Sequence, residues 1–166
     1  MTNGKILAFG GIFTLAFAAF LFWPQNEDTT QPSTTLADVG DEKIEVVMYK
    51  RETCMCCAKW ADHMETAEFK VEQVVPEDLF AVKDEAGVPQ ELASCHTAKV
   101  GGYIVEGHVP LEDVRRLLDE KPDAIGITVP GMPIGSPGME VEGRPADKYD
   151  VLLIHNDGTT SVWASH

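Results

Sequence analysis

IEVVMYKRETCMCC, residues 44–57, places three cysteines directly after an apolar run. The part IEVVMYK is rich in β-branched and aromatic residues, which predicts a buried strand. From Cys57 to Glu68 apolar side chains recur at helical spacing without Gly or Pro, and Thr53 can cap this helix. The cysteines are therefore predicted to lie in a loop between a strand and the start of a helix.

The remaining sequence continues the alternation of strands and helices. Its predicted elements are a strand at FKVEQVV, a second helix opened by Pro76 and ended by Gly87, one or two strands in KVGGYIVEGHV, a third helix at LEDVRRLLDE and a closing hairpin from YDVLLIH and SVWAS. Between the third helix and the hairpin, residues 126–144 carry five glycines, which predicts an ordered loop or a mobile flap.

This order of elements predicts an α/β fold for residues 44–166. A βαβα opening followed by a strand, a helix and a hairpin fits a small thioredoxin-like sandwich better than a doubly wound sheet, which needs more helices. Residues 24–43 are polar and poor in apolar side chains, so we expect a flexible linker before the domain.

The first 23 residues carry an export signal. Eighteen uncharged positions, 6–23, follow Lys5 and precede the acidic Glu27 and Asp28. This length fits either a signal peptide or an N-terminal membrane anchor, and the bulky residues at its end favour an uncleaved anchor helix. The charge asymmetry directs the domain outward, so we expect a periplasmic location, either soluble after cleavage or tethered to the inner membrane.

The charge balance restricts the partners. The chain has a formal net charge of −14, which repels nucleic acid and anionic lipid and favours cationic partners, metal ions included. Acidity of this size also simply keeps a protein soluble, so it does not identify a metal binder. We therefore expect no nucleic-acid partner.

The cysteines carry the strongest chemical signal. Cys54 and Cys57 have the C-x-x-C spacing of redox motifs and metal clasps, and Cys56 adds a thiol that a redox pair does not need. In a thioredoxin-like fold the loop before the strand predicted at KVGGYIV faces this motif, and here that loop holds Cys95 and His96. Four sulfurs and one imidazole are thus predicted to converge, and soft sulfur ligands select Cu(I) or Zn(II).

Three other interpretations of the cysteines are open at this point. They are two structural disulfides, a closed zinc site, and catalytic thiol redox chemistry that uses Cys54 and Cys57. Met132 and Met139, in a Gly/Pro-rich frame, are candidate thioether ligands of Cu(I). His108 can approach the site or merely end a strand.

The sequence resembles the CopG-type copper-resistance proteins of bacterial periplasms, a family long described as a domain of unknown function. The resemblance covers about residues 44–166 and rests on YKRETCMCCAKW, ELASCHTAKVGGYIVEGHVP, VPGMPIGSPGMEV, YDVLL and DGTTSVWASH. Met55 stands where the family usually has a small residue between the first two cysteines.

The resemblance implies a thioredoxin-like fold and a multinuclear, cysteine-bridged Cu(I) cluster with several ions per chain. By position, the implied ligands are Cys54, Cys56, Cys57 and Cys95, together with His96 and Met132 or Met139. It also implies a role in copper resistance or homeostasis alongside other periplasmic copper-handling proteins, with Cu(I)/Cu(II) redox activity as a copper oxidoreductase role proposed for the family.

Overall fold

The computed structural model describes residues 43–65 and 68–166, in which strands and helices alternate. Their bounds are β1 (Ile44–Lys50), α1 (Met55–Glu65), β2 (Phe69–Val74), α2 (Leu79–Glu85), β3 (His96–Val100), β4 (Tyr103–Glu106), α3 (Leu111–Glu120), β5 (Gly126–Thr128), β6 (Asp150–Ile154) and β7 (Thr160–Ser165). A single 3₁₀ turn, Gln90–Leu92, precedes β3. These elements confirm the mixed α/β class.

All seven strands of the described residues form one mixed sheet in the order β2-β1-β3-β4-β5-β6-β7. β1 is parallel to β2 and β4 is parallel to β5, whereas the other neighbouring strands are antiparallel. The predicted C-terminal hairpin is confirmed as β6 and β7. Antiparallel pairing of β3 with β1 and with β4 brings the end of β1, the start of β3 and the end of β4 to one edge of the sheet.

The core is built from this sheet together with the buried faces of α1 and α3. Val46 and Met48 alternate inward on β1, and Trp60 and Met64 recur one turn apart on the buried face of α1. Each such side chain contributes about 1.5–3 kcal/mol by leaving water. The Trp60 indole Nε1 also donates a hydrogen bond to the Val109 carbonyl, at 2.9 Å, so its polar atom is satisfied inside the core.

The first helix starts earlier than the sequence suggested. Cys56 and Cys57 lie within its first turn, because α1 begins at Met55 and the Ala58 N–H already bonds to the Cys54 carbonyl at 3.4 Å. The second helix starts later than Pro76, at Leu79, where the Asp78 carboxylate caps it by accepting bonds from the next turn's N–H groups.

The glycine-rich region after α3 contains the short strand β5 and then the loop of residues 129–149, which we call the Gly/Pro loop. Internal hydrogen bonds join Gly135 N to Met139 O, Met139 N to Ser136 O, and Ile134 N to the Asp147 carboxylate, at 2.8–3.1 Å. Of the two predictions for this region, the hydrogen bonding matches the ordered loop.

No helix in the described part of the chain has the length and apolar character needed to cross a membrane. The predicted signal or anchor of residues 1–23, and the predicted linker of residues 24–43 except Lys43, lie outside the described residues.

The packing of β5 on β4 yields a stability prediction. A Cβ added at Gly126 would overlap the backbone carbonyl of Ile104, which cannot move without breaking the sheet. We expect Gly126→Ala to lower the free energy of unfolding by about 3 kcal/mol or more, measured by urea denaturation. Gly158→Ala should cost only about 1 kcal/mol, because this turn glycine has a φ of 82° and an added Cβ would meet no atom beyond its chain neighbours within 4 Å. Equal losses would contradict the steric argument.

Candidate metal centre

Four cysteine sulfur atoms meet at the start of α1. The Sγ atoms of Cys54, Cys56, Cys57 and Cys95 all lie within 4.8 Å of one another. Cys54 and Cys57 are joined by a disulfide, Cys56 Sγ lies 3.5 Å from Cys54 Sγ, and Cys56 and Cys95 are free. The structure thus brings the four predicted cysteines together, and all four become available as thiols only after this disulfide is reduced.

The Gly/Pro loop covers one side of this cluster. Gly138, with a φ of 84°, packs so closely on the first turn of α1 that a Cβ there would meet the Cys56 carbonyl and the Trp60 N–H. Only glycine fits this contact. Two residues further on, Glu140 Oε1 lies 2.9 Å from His63 Nε2 on α1. The loop is therefore attached to the helix that carries three of the cysteines.

A buried polar network holds the loop that carries Cys95. The Glu106 carboxylate, at the end of β4, accepts a hydrogen bond from the Ser94 N–H at 2.6 Å. It is also bonded to the Lys83 ammonium at 2.5 Å and to the Thr97 hydroxyl at 2.7 Å. Lys83 and Glu106 are almost fully buried, so their charges depend on one another. This network ties α2, the Cys95 loop and β4 together.

Two imidazoles flank Cys95. His108 Nε2 lies 2.9 Å from Cys95 Sγ, and its Nδ1 lies 2.8 Å from the Pro137 carbonyl. Since a carbonyl only accepts, Nδ1 carries the proton and the neutral ring presents the lone pair of Nε2 to the sulfur. His96 Nδ1 lies 3.6 Å from Cys95 Sγ, and its ring packs 4.5 Å from the Trp60 ring, centroid to centroid.

Burial sets the protonation states at this site. Desolvation lowers the pKa of His96, and the nearby charges of His108 and Lys83 lower it further. Desolvation also lowers the pKa of His108, although the hydrogen bond to Pro137 partly opposes it. Burial, and next the neighbouring Cys56, raise the pKa of Cys95 to about 12. Near neutral pH the imidazoles are thus uncharged, and a metal ion that binds Cys95 would displace the thiol proton.

The predicted methionine ligands occupy different places. Met132 is 53% exposed and lines a cavity of about 330 Å³ together with Cys54 and Cys95, so it lies at the mouth of the cluster. Met139 is half-buried within the turns of the Gly/Pro loop and does not line this cavity. Met55 is 72% exposed beside the cysteines.

His108 is the residue that the sequence left unassigned and that the structure places against Cys95. The signal that points to it is strand register, because Thr97 pairs with Glu106 across β3 and β4. That pairing sets Gly107 beside His96, whose carbonyl accepts from the Gly107 N–H at 3.0 Å, and so brings His108 back to the cysteine loop.

A mixed α/β domain that gathers four cysteine sulfurs and two neutral imidazoles at one edge of its sheet belongs to the class of candidate metal-binding proteins. Comparisons with known proteins narrow this class. Residues 92–139 match the model of a family described as a protein of unknown function, DUF411. No curated protein matches the sequence.

Two solved structures are similar to the chain, and both are of the copper resistance protein CopG, in forms 2 and 1. Each is 42% identical in sequence with a TM-score of 0.71, and each covers 75% of this chain. The match spans 99% of the form 2 chain and 98% of the form 1 chain. The chain therefore belongs to the CopG-type copper-resistance family, as its motifs predicted.

The buried network behind Cys95 yields a second prediction. Lys83→Met leaves the Glu106 carboxylate buried without its cation, and we expect unfolding in urea to show a loss of about 3–5 kcal/mol. The matched control is Lys70→Met, because Lys70 pairs with Glu45 at 4.0 Å on the surface, where both side chains are more than two-thirds exposed.

The control should change stability by less than about 1 kcal/mol. The double variant Lys83→Met, Glu106→Leu should recover part of the loss, because it removes the unpaired charge. If the two lysine variants were equally stable, the network would not fix the Cys95 loop in the manner described.

Proposed function

We propose that the protein binds copper as Cu(I) through Cys54, Cys56, Cys57 and Cys95 and acts in copper resistance or homeostasis. The observation that carries this proposal is the approach of all four sulfur atoms to within 4.8 Å of one another. Thiolates are soft ligands that select Cu(I), and four of them exceed what one Cu(I) ion requires. The surplus favours a multinuclear cluster in which cysteine sulfurs bridge several ions.

The reduced state is the form that takes up Cu(I) in this proposal. Two electrons from an external thiol reductant, together with two protons, open the Cys54–Cys57 disulfide and yield two thiols, which join Cys56 and Cys95. Cys56 and Cys57 lie in the first turn of α1, so the opened motif presents both sulfur atoms from the start of one helix. The proposal includes Cu(I)/Cu(II) redox activity, in which oxygen or a protein electron acceptor takes the electron that Cu(I) loses.

The proposal also includes the fold of the domain and its location in the cell. The order β2-β1-β3-β4, with β1 parallel to β2 and antiparallel to β3, supports a thioredoxin-like arrangement of residues 44–106. The apolar residues 6–23 support export, and we propose a periplasmic domain, tethered or released. The name of the similar structures, copper resistance protein CopG, supports copper as cargo. The proposal adds other periplasmic copper-handling proteins as partners.

The disulfide favours a second candidate function, a thiol-disulfide oxidoreductase that uses Cys54 and Cys57. The half-buried Cys54 would attack a substrate disulfide, and the buried Cys57 would resolve the mixed disulfide. Under this function Cys54→Ser abolishes reduction of a model disulfide substrate, whereas Cys95→Ser leaves the rate nearly unchanged.

The main experiment is an anaerobic titration of the reduced, full-length chain with Cu(I), against a competing Cu(I) chelator. We expect two or more Cu(I) ions per chain, counted by elemental analysis of copper and zinc after buffer exchange. Because the sulfurs bridge ions, Cys56→Ser and Cys95→Ser should each remove most of the bound copper rather than a quarter of it.

The matched control is His155→Ala, since the His155 imidazole bonds to Ser161 in the β6–β7 hairpin, away from the cysteines. This variant should bind copper like the parent chain. Retention of one zinc ion, or of no metal, would contradict the proposed function and leave thiol redox chemistry as the alternative.

A further inference from the structure

A second set of candidate metal-ligand atoms remains available when Cys54 and Cys57 are joined in a disulfide. It consists of Cys95 Sγ and one ring nitrogen each from His96 and His108, and these three atoms lie within 4.8 Å of one another. Both histidines are fully buried, and Cys95 is half-buried. None of the three side chains takes part in the disulfide.

We propose that Cys95, His96 and His108 form a mononuclear site for a divalent metal ion, Cu(II) in preference to Zn(II), in the disulfide form of the protein. One thiolate with two imidazoles is a donor set of intermediate softness, which suits Cu(II), Zn(II) and Co(II). Among these ions a site of such ligands binds Cu(II) most tightly. The inference goes beyond the Cu(I) cluster and does not rest on it.

His108 is oriented as a metal ligand. Its Nδ1 proton is donated to the Pro137 carbonyl at 2.8 Å, which fixes both the tautomer and the ring plane. Metal-binding histidines commonly make this bond with the nitrogen that does not bind the metal. The remaining nitrogen, Nε2, faces Cys95 Sγ at 2.9 Å. The Gly/Pro loop therefore positions this imidazole from outside the cluster.

His96 provides the second imidazole. Its ring is enclosed by Trp60 and by His108, whose ring stands edge-on at 5.1 Å between centroids. Nδ1 faces Cys95 Sγ at 3.6 Å, while Nε2 has no hydrogen-bond partner among residues 43–65 and 68–166. Nδ1 is therefore the nitrogen that would bind the metal ion, next to the Cys95 sulfur.

The two sites share Cys95, so they are alternatives rather than neighbours that fill together. With the disulfide closed, Cys56 and Cys95 are the free thiols of the described residues, and only Cys95 has imidazoles beside it. With the disulfide open, Cys95 is available to the four-thiolate cluster. The redox state of Cys54 and Cys57 thus selects which donor set Cys95 joins.

The test uses the full-length chain with Cys56→Ser and the disulfide intact, so that Cys95 is the remaining thiol. Co(II) is the probe, because it does not oxidise thiols and its thiolate complexes absorb in the near ultraviolet. We expect one Co(II) per chain with a thiolate charge-transfer band. In the same background His108→Ala and His96→Ala should each weaken Co(II) affinity at least tenfold, whereas the control His155→Ala should not.

His108→Gln, which preserves much of the side-chain volume, accompanies His108→Ala, and circular dichroism checks that each variant is folded. A missing charge-transfer band in the folded parent, or equal Co(II) affinity in His108→Gln and His155→Ala, would overturn the site. The outcome is separate from that of the Cu(I) titration, because that experiment uses the reduced chain with all four cysteines.

Discussion

The site depends on the antiparallel pairing of β3 with both β1 and β4. β1 ends at Lys50, opposite His96 at the start of β3, so the chain that leaves β1 toward Cys54 lies beside the chain that arrives from Cys95. β4 ends at Glu106, opposite Thr97, which returns His108 to the same edge. Residues far apart in sequence therefore meet because three strand ends share one edge of the sheet.

Behind that edge, a buried charge pair supports the Cys95 loop. Glu106 accepts the Ser94 N–H, and Lys83 from α2 neutralises the carboxylate inside the core. In front of it, the Gly/Pro loop contributes the Pro137 carbonyl that orients His108 and the Gly138 contact with α1. The candidate ligand atoms thus lie between a buried interior and a loop that is hydrogen-bonded and packed against its neighbours, and contacts of this kind orient the side chains of metal sites.

Much of the site was predictable because its signals are local. The C-x-x-C spacing, the surplus thiol at Cys56 and the position of Cys95 just before a strand are all visible in short segments. His108 and the Lys83–Glu106 pair were not predictable in this way, because their partners are set by strand register and by the packing of α2 on the sheet. The start of α2 also differs from the prediction, because the Asp78 side chain caps the helix and α2 therefore begins at Leu79 rather than near Pro76.

Copper X-ray absorption on the reduced, Cu(I)-loaded chain tests most directly whether cysteine sulfurs hold copper in a shared cluster. We expect a Cu(I) edge, nearest neighbours of copper that are mostly sulfur, and a short copper–copper distance, because the four sulfur atoms lie within bridging reach of one another. A first shell of nitrogen and oxygen, with no copper–copper scattering, would contradict it.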